Sequence, residues 1–219
     1  MELYTATTIY IIIMNLALAF TVLKMLAHNN TERKTQQIAF AIFGVWFIAT
    51  LLLFGENSIF AKDISSLTLF SIILVGVALV GVVLSPFMKA LVALPQEFLL
   101  LPQAFRMFFG AGFIIEAVFG IMPQGYGAVD GILHITTAFL ATTLAIYIAR
   151  GANVKKSLIA VNVFGLLDIV VVAYGIAFFI LGDIGVNHNV FYAVFFAAPI
   201  FIWLHLISLY KVFLASKGK

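Results

Sequence analysis

From Ser157 to Leu181 the chain runs for 25 residues with a single charged side chain, Asp168. A helix needs roughly 20 apolar residues to cross the hydrocarbon of a bilayer, and this run supplies them. Lipid offers no water to backbone N–H and C=O groups, so such a run has to be helical, and it is too long for a barrel strand. Comparable runs lie at about 7–23, 38–54, 67–85, 98–121, 129–149 and 190–214, bounded by charges or by turn residues such as Pro86, Pro123–Gly125 and Gly182–Asp183. The composition agrees: only 10% of residues are charged and 64% are hydrophobic, whereas soluble domains are about a quarter charged. A chain of 219 residues cannot hide that much apolar surface from water. The expected fold is therefore all-α: a polytopic membrane protein of seven transmembrane helices, one domain over residues 1–219. With no Cys there is no disulfide scaffold. No cleavable leader is expected, because Glu2 is the only charge before the first run and no small-residue cleavage site follows it.

Lysine and arginine predict the orientation. Lys24, Arg33, Lys34, Lys89, Arg150, Lys155, Lys156, Lys211, Lys217 and Lys219 fall on one side of the seven runs, and only Lys62 falls on the other. Positive residues collect in the cytoplasm, which puts the N-terminus outside, the C-terminus inside, and the protein in the cell (inner) membrane. The segment 86–97, PFMKALVALPQE, carries two prolines and reads as a kinked cytoplasmic connection. Pro199 removes a backbone hydrogen bond from the last run and should kink it. Trp46 and Trp203 sit away from the expected interfaces and read as packed rather than anchoring.

A shift of 121 residues lays IAFAIFGVWFI (38–48) on IAVNVFGLLDI (159–169), with Ile38/Ile159, Ala39/Ala160, Phe43/Phe164, Gly44/Gly165 and Ile48/Ile169 identical. The same offset pairs the first run with the fifth and the third with the seventh. It suggests a parallel 3+1+3 repeat, residues 7–85 and 129–214 joined by the helix at 98–121, an arrangement that puts substrate sites at the repeat interface. Where the first copy has Ala41 and Phe47, the second has Asn162 and Asp168.

Ionisable side chains in lipid cost at least roughly 2.5–3.5 kcal/mol, so they turn inward and find partners. Counting about 1.5 Å per residue from the ends of the runs puts Asp168, Arg106 and His205 at depths of about 16, 12 and 13 Å from the cytoplasmic side. Gln103 and Asn162 lie nearer that side. Gln103, Arg106 and Gly110 share a helix face by their i, i+3, i+7 spacing. Arg106 is the expected counter-charge of Asp168, because arginine stays protonated and offers a fork of donors. Glu116, Asp130 and His134 form a second, outer layer by the same count. The Arg–Asp pair is open to two readings: a contact that only fixes packing, or the lining of a solute or proton path. No metal or haem site is expected, since neither His134 nor His205 has a second His at i+3 or i+4.

Topology alone resembles microbial rhodopsins, but no lysine stands midway along the last run to carry retinal. It also resembles SWEET-type sugar transporters, but the first two runs of each triplet lack their prolines. A closer likeness is carried by Gln103-Ala-Phe-Arg106, the loop Pro123 to Gly131, Asn162-Val-Phe-Gly165-Leu-Leu-Asp168 and His205-Leu-Ile-Ser208-Leu209. Over roughly residues 100–212 these resemble a group of uncharacterised bacterial polytopic membrane proteins. Asp130-Gly131 departs from that group's Gly-Asp order, and the group implies no activity.

The function expected is a small-solute or proton transporter or channel, with Gln103, Arg106, Asn162, Asp168 and His205 along its path. The alternative is a non-transporting scaffold or accessory subunit in which the pair is structural. No catalytic residue is expected, for no HExxH, phosphate loop or Ser-His-Asp pattern is present. The bilayer is the expected partner, nucleic acid and cofactors are not expected, and a homo-oligomer or partner subunit is left open.

Overall fold

The computed structural model describes residues 2–57, 63, 65–66, 76 and 86–217. Among these the chain is helical and no strand occurs. The helices are α1 (Leu3–His28), α2 (Arg33–Leu53), the short α3 (Pro86–Ala93), α4 (Gln96–Val118), α5 (Gln124–Ala149), α6 (Lys155–Ile184) and α7 (Val190–Leu214). All but α3 are long and apolar enough to cross a membrane, which makes six. The third expected span, 67–85, lies outside the described residues except for residue 76, and Lys62 lies outside them too. The connection at 86–97 resolves into α3, a break at Leu94–Pro95, and the first turn of α4.

Three of these helices end in the same way. After α1, α4 and α5 the residues Asn30, Gly120 and Gly151 take positive φ, at 53°, 70° and 81°. The next N–H then reaches back five residues: Thr31 to Leu26, Ile121 to Glu116 and Ala152 to Tyr147. This closes the helix on its own last carbonyls, and glycine or asparagine is what that backbone accepts.

Helix α7 is central and α2 peripheral: 78% of the apolar window of α7 is buried, against 17% for α2. The side chains α2 leaves uncovered, Phe40, Val45, Ile48 and Leu52, are those that lipid can wet. Helices α4 and α5 meet backbone to backbone. A Cβ on Gly110 would lie 2.5 Å from the Gly131 carbonyl, and one on Gly131 would lie 2.6 Å from the Gly110 carbonyl. Gly127, one turn before Gly131, lets Ala117 and the Phe113 carbonyl approach in the same way. Gly127-x-x-x-Gly131 is the small-residue spacing that permits such contact between helices in lipid.

Just before Pro199, where the sequence leads one to expect a kink, α7 runs through a π-helical turn, Ala193–Ala197. Pro199 has no N–H for the carbonyl of Phe195, and that carbonyl accepts from Trp46 Nε1 at 2.7 Å. Trp46 thus ties α2 to the irregular stretch of α7, a packed role rather than an interfacial one. Trp203 is buried, and Trp46 half-buried.

Candidate functional site

Arg106 is fully buried in the first α-helical turn after the tight 3₁₀ stretch Leu101–Ala104, which Pro102 opens. Its Nη2 donates to Asp168 Oδ2 at 2.5 Å and its Nη1 to the carbonyl of Gly165 at 3.0 Å. The guanidinium also lies within 3.4 Å of His205 Nε2 and His134 Nδ1, with its carbon 5.6 Å from the centroid of the Phe201 ring. Asp168 is held from α5 as well. Thr137 Oγ1 donates to Oδ2 at 2.7 Å, and His134 Nδ1 stands 3.1 Å from Oδ1. The charge that interrupts the apolar run of α6 is therefore met from two helices.

The network continues on the far side of Arg106. Asn162 Nδ2 donates to the Leu158 carbonyl and to Ser208 Oγ, at 2.7 and 2.8 Å. This turns its Oδ1 toward His205 Nδ1 at 2.9 Å. His205 accordingly carries its proton on Nδ1 and presents the Nε2 lone pair to Arg106. Gln96, the first residue of α4, donates through Nε2 to Ser208 Oγ. Gly165 makes room for all this, because a Cβ there would lie 2.3 Å from His205 Nε2. Gln103 donates to the Phe201 carbonyl at 3.3 Å, beside the network rather than within it.

The expected outer layer does not hold as one group. His134 belongs with Arg106 and Asp168. The reason is the start of α5, which begins at Gln124 instead of residue 129. His134 is thereby ten residues into its helix, about 15 Å along it, near mid-membrane. Asp130 follows His134 at i−4, its Oδ1 3.4 Å from His134 Nδ1. Glu116 is separate, and fully buried. It accepts from Asn189 Nδ2 at 2.7 Å, and the same amide reaches Thr7 and Thr8 of α1 at 3.0 and 3.1 Å. Thr137, Gln96 and Asn189 were not singled out by sequence. For Thr137 a signal exists, its i+3 spacing from His134 on one helix face.

His188, in the turn between α6 and α7, fixes the neighbourhood of Glu116. Its Nδ1 accepts from the Val190 N–H at 3.1 Å, and its Nε2 donates to the Ile121 carbonyl at 3.2 Å. Burial pushes this imidazole below its ordinary 6.5, against the pull of the Glu116 charge and the Ile121 bond. The unfolded chain then binds the proton better than the folded one, so stability is complete above pH 6.5 and falls as the pH drops below it. Acidification is expected to lower the thermal midpoint of the wild type, and His188→Gln to flatten that dependence. A thermal melt series across pH checks this, and equal slopes in the two proteins would contradict it.

Six long apolar helices with a buried ion pair turned inward are the architecture of a multi-pass membrane protein. The chain belongs to the family described as Domain of unknown function (DUF8737), whose model matches residues 63–213, well over half its length. The match takes in the whole Arg106 cluster and is in keeping with a likeness to an uncharacterised group. No curated protein and no solved structure matches the chain.

Proposed function

We propose that this protein passes protons through the membrane along the polar chain of α4–α7. One observation carries the reading. From Asp130 through His134, Asp168, Arg106, His205, Asn162 and Ser208 to the half-buried Gln96, polar side chains follow one another within hydrogen-bonding or ion-pair distance. They run from the early turns of α5 to the first residue of α4, and three kinds of proton-carrying group, carboxyl, imidazole and hydroxyl, lie along them. A proton fits better than a small organic solute. Among the described residues, the cavity that borders Asp130 and His134 has a volume of about 40 Å³, where solute pockets take roughly 300–1,000 Å³.

In this reading Arg106 does not relay, nor do the amides of Asn162 and Gln96, which only orient His205 and Ser208. Arg106 stays charged, lies within 3.4 Å of an imidazole on either side, His134 and His205, and stands at the junction between the two halves of the chain. Passage from Asp168 to His205 requires the guanidinium to swing aside, so the junction is a gate and not an open wire. The N-terminus faces out and the C-terminus the cytoplasm of the cell (inner) membrane, with the 3+1+3 repeat as the frame.

A second reading, a scaffold or accessory subunit, is favoured by how fully Asp168 is satisfied by Arg106, Thr137 and His134. Reconstitution separates them. Liposomes loaded with a pH-sensitive dye and driven by a potassium diffusion potential should acidify faster with the protein than without it. Asp168→Asn, checked for folding, should return the rate to that of empty liposomes. Wild-type protein that never exceeds empty liposomes, or folded Asp168→Asn protein at the wild-type rate, overturns the proton reading.

A further inference from the structure

At one end of the polar chain a carboxyl is buried without a hydrogen bond. Asp130 is 1% exposed, yet neither of its carboxyl oxygens has a hydrogen-bond partner. With His134 it borders the cavity of about 40 Å³, whose remaining wall is apolar and includes Phe113 of α4, Ile176 of α6 and Ala197 of α7. A water needs about 10–15 Å³ of such space, so two or three fit. A buried carboxyl without a partner is unfavourable unless it meets water or carries a proton, and this site offers both. Charge counting agrees. Among the groups in ion-pair contact, Arg106 supplies one positive charge against the carboxyls of Asp168 and Asp130, so this set is neutral only with one further proton, and Glu116 adds another carboxyl to the neighbourhood of Asp130.

We propose that the cavity is a hydrated proton-binding port, in which a cluster of waters caps Asp130 and in which Asp130 and His134 share one exchangeable proton. The port rests on the proton reading above and supplies its entry. A proton from the water cluster adds to a carboxylate oxygen of Asp130. The O–H bond then breaks toward the lone pair of His134 Nδ1, leaving the carboxylate and an imidazolium. The same Nδ1 stands 3.4 Å from Asp130 and 3.1 Å from Asp168, so it delivers the proton onward while Nε2 keeps its own hydrogen. The charged and titratable groups facing Asp130 are His134 and Tyr126 from its own helix, Asp168 from α6, and Arg106 and Glu116 from α4. Helix α7 lends this wall only apolar side chains.

Infrared difference spectra of the full chain in lipid nanodiscs, taken on an acid step in H₂O and D₂O, test the port. A carboxylic C=O band should appear, shift in D₂O, vanish in Asp130→Asn and persist in Glu116→Gln. Ala197→Leu, which fills the cavity and leaves the carboxyl in place, should slow the D₂O shift several-fold and keeps the test open if Asp130→Asn fails to fold. Proton flux into liposomes should fall to the empty-liposome rate in Asp130→Asn. An Asp130 band in a protein that carries no flux keeps the port and removes the transport reading. An unchanged band in folded Asp130→Asn overturns the port even where Asp168→Asn abolishes flux. The same band evoked by sodium at fixed pH also overturns it, in favour of a cation site.

Discussion

Arg106→Leu is expected to destabilise the protein by about 3–5 kcal/mol, because removing one partner of a buried pair leaves the other charge uncompensated. Asp168 would keep Thr137 and His134 but lose the guanidinium that pairs with it. His205 and the Gly165 carbonyl would lose their donor in the same step. Removing both charges should differ sharply. In Arg106→Leu/Asp168→Leu no isolated charge remains, and apolar replacement of a buried pair is often neutral or stabilising. Thermal unfolding of the four proteins of this cycle gives the coupling directly. A double variant no more stable than the single one would show that the pair is not what holds these helices in register.

Gly131→Leu should be nearly as damaging, by a different route. Its Cβ would meet the Gly110 carbonyl at 2.6 Å, and backbone cannot give way as a side chain can. Helices α4 and α5 would have to part. Overpacking of this kind costs typically about 1–3 kcal/mol and occasionally more. Parting them also draws His134 and Asp130 away from Arg106, so proton flux should fall together with the thermal midpoint. Gly125→Ala is the control, since nothing lies within 4 Å of a Cβ there. If Gly131→Leu melts and conducts like Gly125→Ala, the close approach has no such role.

The helices are legible because lipid leaves no alternative to a helix for an apolar run of that length. Six of the expected spans overlap α1, α2 and α4–α7, and the errors are at their ends. Helix α5 starts five residues before the hydropathy does, since Gln124, Gly125 and Tyr126 are helical without being strongly apolar. Counting from residue 129 instead of Gln124 places His134 five residues too near the start of its helix. Arg106 and Asp168 are legible as neighbours because few charges interrupt the apolar runs, and each must find a counterpart. Thr137, Ser208, Gln96 and Asn189 are harder to foresee. A neutral hydroxyl or amide costs little in a helix that can satisfy it locally, so nothing in the sequence forces it toward a particular partner. The repeat stays a matter of sequence, for its third span lies outside the described residues.

Conduction and folding separate most cleanly in the double variant. If the charged pair serves the passage of protons, Arg106→Leu/Asp168→Leu protein should fold with a thermal midpoint near that of the wild type and yet carry no more protons than empty liposomes. A folded double variant that acidifies liposomes at the wild-type rate would contradict the account.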